Sequence, residues 1–164
     1  LVGRNIQLSR TPRMHEVEGA RLGLNYTYKL IDTARLAGPE MRVEEILNAA
    51  RICGFAGLNI TYPHKQAIVP LLDALADDAA EIGAVNTVTF TGNGTVGHNT
   101  DKFGFAEGFR REMDGVARDC VLQLGAGGAG AAVASALIEL GTNRKVWVGQ
   151  KKIKKTVEKG GFRL

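Results

Sequence analysis

Asn59, Thr61 and Lys65 fall within the stretch Gly57-Leu-Asn-Ile-Thr-Tyr-Pro-His-Lys65 and place an amide, a hydroxyl and an amine inside seven residues. Such a set suits a hydroxyl-rich ligand, because amides and hydroxyls supply donors and acceptors together while an amine adds charged donors. Gly83-Ala-Val-Asn-Thr87 and Gly97-His-Asn-Thr-Asp101 repeat the theme, each setting Asn-Thr beside apolar residues or glycine, and the second ends on a carboxylate. For any one stretch the competing reading is that Asn and Thr cap helices and close turns. Three stretches with a lysine and an aspartate among them point instead to a polyol site.

A second constellation is Gly125-Ala126-Gly127-Gly128-Ala129-Gly130, a G-x-G-x-x-G run directly after the apolar Cys120-Val-Leu-Gln-Leu124. Alone the pattern is weak. Between a strand and a helix it matches a dinucleotide fold, where glycines permit a tight turn and let backbone N–H groups approach a pyrophosphate. Glycines kept for packing alone are the competing reading. Lys145-Val-Trp-Val148 reads as the second strand of that unit. A fold of the NAD type offers Asp or Glu to the ribose hydroxyls at this point. Here Gly149 and Gln150 are followed by Lys151 and Lys152, and lysines suit a 2′-phosphate. NADP is therefore the expected cofactor, with NAD as the alternative, and a simple solvated lysine tail competes with both.

The elements that must hold these groups follow from periodicity. Asn59 and Thr61 at a spacing of two share one face of a strand, with Ile60 turned to a core. Pro63 cannot donate to a ladder, so that strand ends near Tyr62. Pro63 and His64 are expected to open a helix over Lys65 to Val69, continued by Ile68, Leu71, Leu72 and Leu75. Leu1-Val-Gly3 reads as the end of a strand with no methionine before it, so the chain is expected to start late. Ser9 and Thr11 flank Arg10 ahead of Pro12, in a loop leading to a helix near Met14 to Leu22. Hydroxyls there either cap the helix or, with its free N–H groups, bind an anion. Tyr26 to Ile31 alternates and reads as a strand, and Val43 to Ile52 as a helix ended by Gly54. Asn86 to Phe90 and Thr95 to His98 flank Thr91-Gly-Asn-Gly94, a hairpin with an Asn-Gly turn. Helices are expected over Phe103 to Met113 and Ala131 to Leu140, with a buried strand at Cys120 to Leu124.

Composition excludes other classes. The chain of 164 residues is 45% hydrophobic and 23% charged, ordinary for a soluble globular protein. Its net charge of +4 is largely local, since five lysines fall between Lys151 and Lys159, and nucleic-acid binding wants a basic stripe across a folded face. Cys53 and Cys120 are read as buried thiols, and a reducing cytoplasm is favoured. His15, His64 and His98 lack metal-ligand spacing, so no metal is expected. Cys120 to Ile138 carries no charge, but four glycines, Gln123 and Ser135 argue against a membrane span.

Asn59-Ile-Thr-Tyr-Pro-His-Lys65, Ala84-Val-Asn-Thr87 and Gly97-His-Asn-Thr-Asp101 resemble the motifs of the shikimate dehydrogenases, including the quinate/shikimate branch. Ser9-Arg-Thr-Pro-Arg-Met-His15 resembles that family's carboxylate-binding loop, and the likeness runs in order and spacing from Leu1 to about Val148. It implies an α/β fold: an N-terminal mixed-sheet α/β substrate domain over 1–100, then the start (β-α-β) of a Rossmann nucleotide-binding domain over 101–164. It implies reversible NADP-dependent reduction of 3-dehydroshikimate to shikimate in aromatic amino acid biosynthesis. Quinate joins the expected substrates through Thr11, since the quinate/shikimate branch has threonine where many shikimate-specific relatives have serine.

By the same resemblance Lys65 and Asp101 are the catalytic pair. A lysine beside a carboxylate favours its charged form, so Lys65 is expected to orient and polarise the hydroxyl while Asp101 shares the proton. Ser9 and Thr11 hold the carboxylate, and Asn59, Thr61, Lys65, Asn86 and Asp101 hold the ring hydroxyls. The glycine turn, Gly125, Ala126, Gly127, Gly128, Ala129 and Gly130, is expected to hold the cofactor, joined by Gln150 and Lys151 from their place after the second strand, in a tail that departs from the family after Val148. The implied partners are small molecules, with no nucleic acid and no membrane, and the protein is a monomer or homodimer. The family's further strands and returning C-terminal helices, which carry a substrate-contacting glutamine, lie beyond the sequence given. A truncated, non-catalytic remnant that binds a polyol acid or a partner is therefore the alternative.

Overall fold

The computed structural model describes residues 1–36, 42–117, 120–125, 127–142 and 144–148. The chain divides into two compact units, Leu1–His98 and Asn99–Leu164.

The first unit is built from β1 (Val2–Gly3), α1 (Thr11–Arg21), β2 (Ile31–Asp32), α2 (Val43–Ile52), β3 (Gly57–Asn59), β4 (Ala74–Leu75), α3 (Asp77–Ile82), β5 (Thr87–Thr91) and β6 (Gly94–His98). Four strands make a mixed sheet in the order β3-β5-β6-β4, antiparallel except for the parallel β4–β6 pair. β1 and β2 pair in parallel beside it, and Val2 bridges to Ile60. The core is apolar and draws on β1, α2, β3, α3, β5 and the loops between them: Val2, Ile46, Leu47, Ala50, Leu58, Ile60, Ile68, Ala79, Val85 and Val88. Helix α2 reaches it through Ile46, Leu47 and Ala50, the helical spacing expected of one buried face. Leu58 and Ile60 alternate with Asn59, so the strand end buries its aliphatic residues and turns the amide the other way.

Three expectations fail in this unit, each for a physical reason. Lys65 to Val69 is not an α-helix but a run of turns ending in a short 3-10 segment, Val69–Leu71. The Lys65 carbonyl accepts from the Val85 amide at 2.8 Å rather than from a residue one turn ahead. Pro70 has no N–H and its ring excludes the carbonyl four residues back, which stops a helix from continuing. Tyr26 to Leu30 forms no ladder; only Ile31–Asp32 is strand, and Tyr28 is tied by the side chains of Glu16 and Asn59 while the Lys29 carbonyl accepts from the chain's N-terminal amine. The hairpin register, with Phe90 opposite Thr95 and Thr91 opposite Gly94, puts Gly92-Asn93 at the tip rather than Asn-Gly.

The second unit holds α4 (Asp101–Glu112), β7 (Cys120–Leu124), α5 (Gly128–Glu139) and β8 (Arg144–Val148). β7 and β8 pair in parallel across the α5 connection, a β-α-β. Arg110 bridges Glu107 and Glu139, and Lys102 also reaches Glu139, so the facing helices α4 and α5 are joined by partly exposed ion pairs. Strand β7 is less buried than expected: Gln123 is its most buried residue and Leu124 is 57% exposed. Both cysteines are exposed, not buried. Cys53 caps α2 past the last turn that packs on the core, and Cys120 opens β7 at its outer end. Among the described residues no helix is long and apolar enough to cross a membrane, and no cluster of His, Cys, Asp and Glu is set to hold a metal.

Candidate functional site

Ser9 and Thr11 meet at the start of α1. The Ser9 hydroxyl donates to Thr11 Oγ1 at 3.0 Å and accepts from the Thr11 amide at 3.3 Å. Pro12 stands in the first turn, where its missing N–H costs nothing, and no carboxylate occupies that turn. Two hydroxyls at a helix N-terminus free of acidic residues make a place for an anion.

What holds this loop in place is Asp32, which the sequence reading missed. Its buried carboxylate accepts from the amides of Asn5, Ile6 and Ala34 and from Gln7 Nε2. Burial pushes the Asp32 carboxyl up, but the donors of Gln7, Ala34, Asn5 and Ile6 together hold it below its ordinary value. On the other side, the His64 ring lies 3.1 Å from Thr33 Oγ1, and burial lowers its pKa. Both groups bind fewer protons folded than unfolded, so stability rises with pH across each transition. Acidification should therefore weaken the first unit twice. The first loss begins as pH falls below the ordinary histidine value of 6.5. The second begins below the ordinary carboxyl value of 3.8 and is shared with Asp73, whose carboxyl is lowered chiefly by hydrogen bonds from Thr95. Denaturant midpoints from pH 8 to pH 2 check this; Asp32→Asn should flatten the lower step, and a profile that stays level below pH 3.8 would contradict it.

Asn59, Asn86 and Thr87 form the second cluster, brought together by the β3–β5 pairing. Asn59 Nδ2 donates to Thr87 Oγ1 at 3.1 Å, and the Thr87 hydroxyl donates to Asn86 Oδ1 at 2.9 Å. Asn86 is buried and its backbone closes the sheet on both sides, accepting from Ile60 N and donating to His98 O. Tyr28 OH donates to Asn59 Oδ1 at 2.6 Å, a contact no local pattern announced. Thr61 lies two residues beyond Asn59, past the end of β3, its amide bonded to Val2 O and its methyl against Gly3. Half-buried Lys65 begins four residues further on, and its carbonyl bond to Val85 N pins its backbone beside the residue that precedes Asn86.

Asp101 is in the second unit, at the first position of α4, where its amide donates to Asn99 Oδ1 at 3.1 Å. In the same unit the glycine run turns from β7 into α5. Gly125 adopts φ +101°, a conformation that side chains other than glycine rarely take. A Cβ at Gly125 or Gly127 would stand in open space, whereas at Gly130 it would lie 2.5 Å from the Gly125 carbonyl oxygen. Gln123 Nε2 clamps the turn by donating to the carbonyls of Gly125 and Gly130 at 2.9 and 2.7 Å. A tight, open-sided loop ahead of a twelve-residue helix fits a dinucleotide pyrophosphate. Ala126, Gln150 and Lys151 lie outside the described residues.

Together these features define the architecture of an α/β substrate-binding domain joined to the first β-α-β of a Rossmann-type fold. The profile of the shikimate dehydrogenase substrate binding domain matches residues 1–88, more than half of the chain. The chain belongs to the shikimate dehydrogenase family. It is 53% identical over 142 residues to the shikimate dehydrogenase (NADP(+)) of Streptomyces avermitilis, covering 86% of this chain and 48% of that one. Against the quinate/shikimate dehydrogenase (NAD(+)) of Corynebacterium efficiens the identity is 48% over 145 residues, covering 88% and 51%. The chain thus spans about half the length of the curated relatives it matches. Among solved structures it resembles the quinate dehydrogenase of Corynebacterium glutamicum in complex with NAD, at TM-score 0.80 and 37% identity, covering 95% of this chain and 65% of that one. It also resembles the shikimate 5-dehydrogenase of Thermus thermophilus in complex with NADP(H) and shikimate, at TM-score 0.76 and 34% identity, covering 99% and 60%.

Proposed function

We propose that this chain carries the substrate domain, residues 1–100, and the opening of the nucleotide domain, residues 101–164, of a cytoplasmic NADP-dependent shikimate dehydrogenase. The reaction is reversible reduction of 3-dehydroshikimate to shikimate, with quinate oxidised as well. The observation that carries this reading is one unit holding both the Ser9–Thr11 hydroxyl pair at a helix start and the hydrogen-bonded Asn59–Thr87–Asn86 series. An acid with several ring hydroxyls needs an anion site at one end and paired donors and acceptors at the other. Ser9 and Thr11 are assigned to the carboxylate, and Asn59, Thr61, Lys65, Asn86 and Asp101 to the hydroxyls.

The glycine turn at Gly125, Gly127 and Gly130 would hold a nicotinamide dinucleotide, whose chemistry there would be hydride acceptance. As the secondary alcohol becomes a ketone, its O–H proton must pass to a group within hydrogen-bond reach. Lys65 and Asp101 are the residues assigned to that proton. Both the NADP-naming and the NAD-naming relatives support a dinucleotide cofactor, and NADP is the one we assign, with NAD the alternative to be assayed. The partners are small molecules, and the protein acts as a monomer or homodimer.

Oxidation of shikimate and of quinate by the intact protein, each with NADP and with NAD, tests the activity; no turnover in any of the four pairings overturns it. Ser9→Ala and Thr11→Ala test the carboxylate assignment. Each should raise KM for shikimate about tenfold, the worth of a hydrogen bond to a charged group, while the methyl ester responds little. Equal losses for acid and ester would reassign those hydroxyls.

A further inference from the structure

Gln123 breaks the pattern of its own strand. Parallel strands in α/β folds read as apolar runs, because both of their faces are covered. β7 runs Cys120-Val-Leu-Gln-Leu124, and its most buried residue is the amide: Gln123 is 9% exposed. Burying an amide costs free energy unless protein hydrogen bonds replace those to water. Here only half of the group is satisfied. Nε2 donates to the Gly125 carbonyl at 2.9 Å and to the Gly130 carbonyl at 2.7 Å. Oε1 is buried and has no partner among the described residues. The amide has one orientation only, since both contacts of its nitrogen are carbonyl oxygens, which accept and never donate.

A methionine or leucine would fill the same space without an unmet acceptor. The glutamine stands there against that local rule, and such departures gather where function requires them. What it supplies is position. Both hydrogens of Nε2 are used on one turn: Gly125 follows β7 at φ +101°, and Gly130 is the third residue of α5. A Cβ at Gly130 would stand 3.1 Å from Nε2 itself, so the amide is seated directly against the helix start. A carbonyl held inward fixes the plane of its peptide group, because the peptide is rigid.

We propose that Gln123 is a positioning residue for the dinucleotide: its amide nitrogen fixes the glycine turn in its binding shape before any ligand arrives. The inference deepens the proposed function and rests on it for the identity of the ligand. A turn already held in shape loses little freedom when a pyrophosphate docks, so the clamp raises affinity without touching the ligand. A turn released from it must be ordered by the ligand itself. The effect belongs to the second unit, which holds β7, the turn and α5 together.

Gln123→Met in the intact protein keeps the length and bulk of the side chain and removes both donors. The expected result is a Kd for NADP raised about tenfold, the scale of lost hydrogen bonds. KM for shikimate at saturating NADP should change less than about threefold, because Ser9, Thr11 and Asn59 lie in the first unit. Gln123→Glu gives a reading that lost packing alone would not. A protonated carboxyl can donate to one of the two carbonyls, whereas a carboxylate only accepts and faces two acceptors. Burial raises the pKa of a carboxyl, so NADP affinity relative to the parent should fall about tenfold as pH rises from about 6 to about 9. The same ratio for Gln123→Met should stay level. NADP bound by Gln123→Met as tightly as by the parent, or a level ratio for Gln123→Glu, overturns the inference. In the parent, the two Nε2 protons of Gln123 should exchange slowly with solvent before any nucleotide is added. Rapid exchange would also overturn it, and that NMR measurement needs neither variant to fold. If the parent binds neither NADP nor NAD, the cofactor reading of the proposed function fails, and the exchange of those protons alone then decides whether Gln123 holds the turn.

Discussion

Replacing Lys65 with alanine in the intact protein lowers kcat by about 10²–10⁴-fold, the contribution a positioned proton-transfer group makes, and leaves KM for shikimate within about threefold. The physical ground is the way the backbone places this lysine. Its carbonyl is bonded to the Val85 amide at 2.8 Å, and Val85 is fully buried, so the Lys65 backbone is fixed one residue from the Asn86 that lines the strand end. It emerges from the turn that follows β3 and is half-buried, where a charge acts through less water than at the surface. Lys65→Arg separates two roles. An arginine keeps the positive charge and can polarise a hydroxyl, but it never gives up its proton. Turnover restored by arginine would mean that Lys65 acts by charge alone; turnover as low as that of alanine would mean that its proton moves. Full turnover by Lys65→Ala at saturating substrate would remove the residue from the reaction.

The elements that were legible in the sequence are those whose signals are local. Helix α2 is delimited by Val43, Ile46, Leu47 and Ala50 at helical spacing and occupies Val43–Ile52 as read. β7 follows from the apolar run Cys120 to Leu124, and the glycine run after it punctuates the turn into α5. Segments settled by distant partners were not legible. Lys65 to Val69 has an acceptable helical pattern, but one of its carbonyls is claimed by an amide twenty residues on, and Pro70 closes the option. Tyr26 to Leu30 alternates as a strand does, yet its tyrosines pack on His15 and bond Asn59 instead of entering a ladder. The same division holds in the site. Motifs gave the types Ser9, Thr11, Asn59 and Asn86, because each sits in a short stretch of its own. The bonds among them, and the residues Tyr28 and Asp32 that orient them, join segments up to 31 residues apart and leave no pattern in any one of them. The spacing of Tyr26 and Tyr28, two residues apart and so on one side of an extended chain, was the only trace of the aromatic cluster.

Gly130→Ala should weaken dinucleotide binding by the intact protein at least about tenfold, which corresponds to about 1.4 kcal/mol. The methyl group has nowhere to go. It would stand 2.5 Å from the Gly125 oxygen and 3.0 Å from the Gly125 carbonyl carbon, and that is backbone, not the loose end of a side chain. The turn can yield only by moving the Gly125 carbonyl, which Gln123 Nε2 holds at 2.9 Å while gripping the Gly130 carbonyl at 2.7 Å. One amide thus clamps both ends of the turn, so displacing one end strains or breaks both bonds and shifts the amides assigned to a pyrophosphate in the proposed function. Gly104→Ala supplies the matched control. Position 104 lies inside α4 in the same unit, its Cβ would meet nothing within 4 Å, and it is exposed. There the identical change should stabilise the helix by about 0.5–1 kcal/mol, because alanine loses less backbone freedom than glycine on folding. Titration with NADP(H) and thermal melting on the two variants give opposite signs for one chemical change. Binding by Gly130→Ala equal to that of the parent would show that the turn does not carry the pyrophosphate, whatever the melting temperature does.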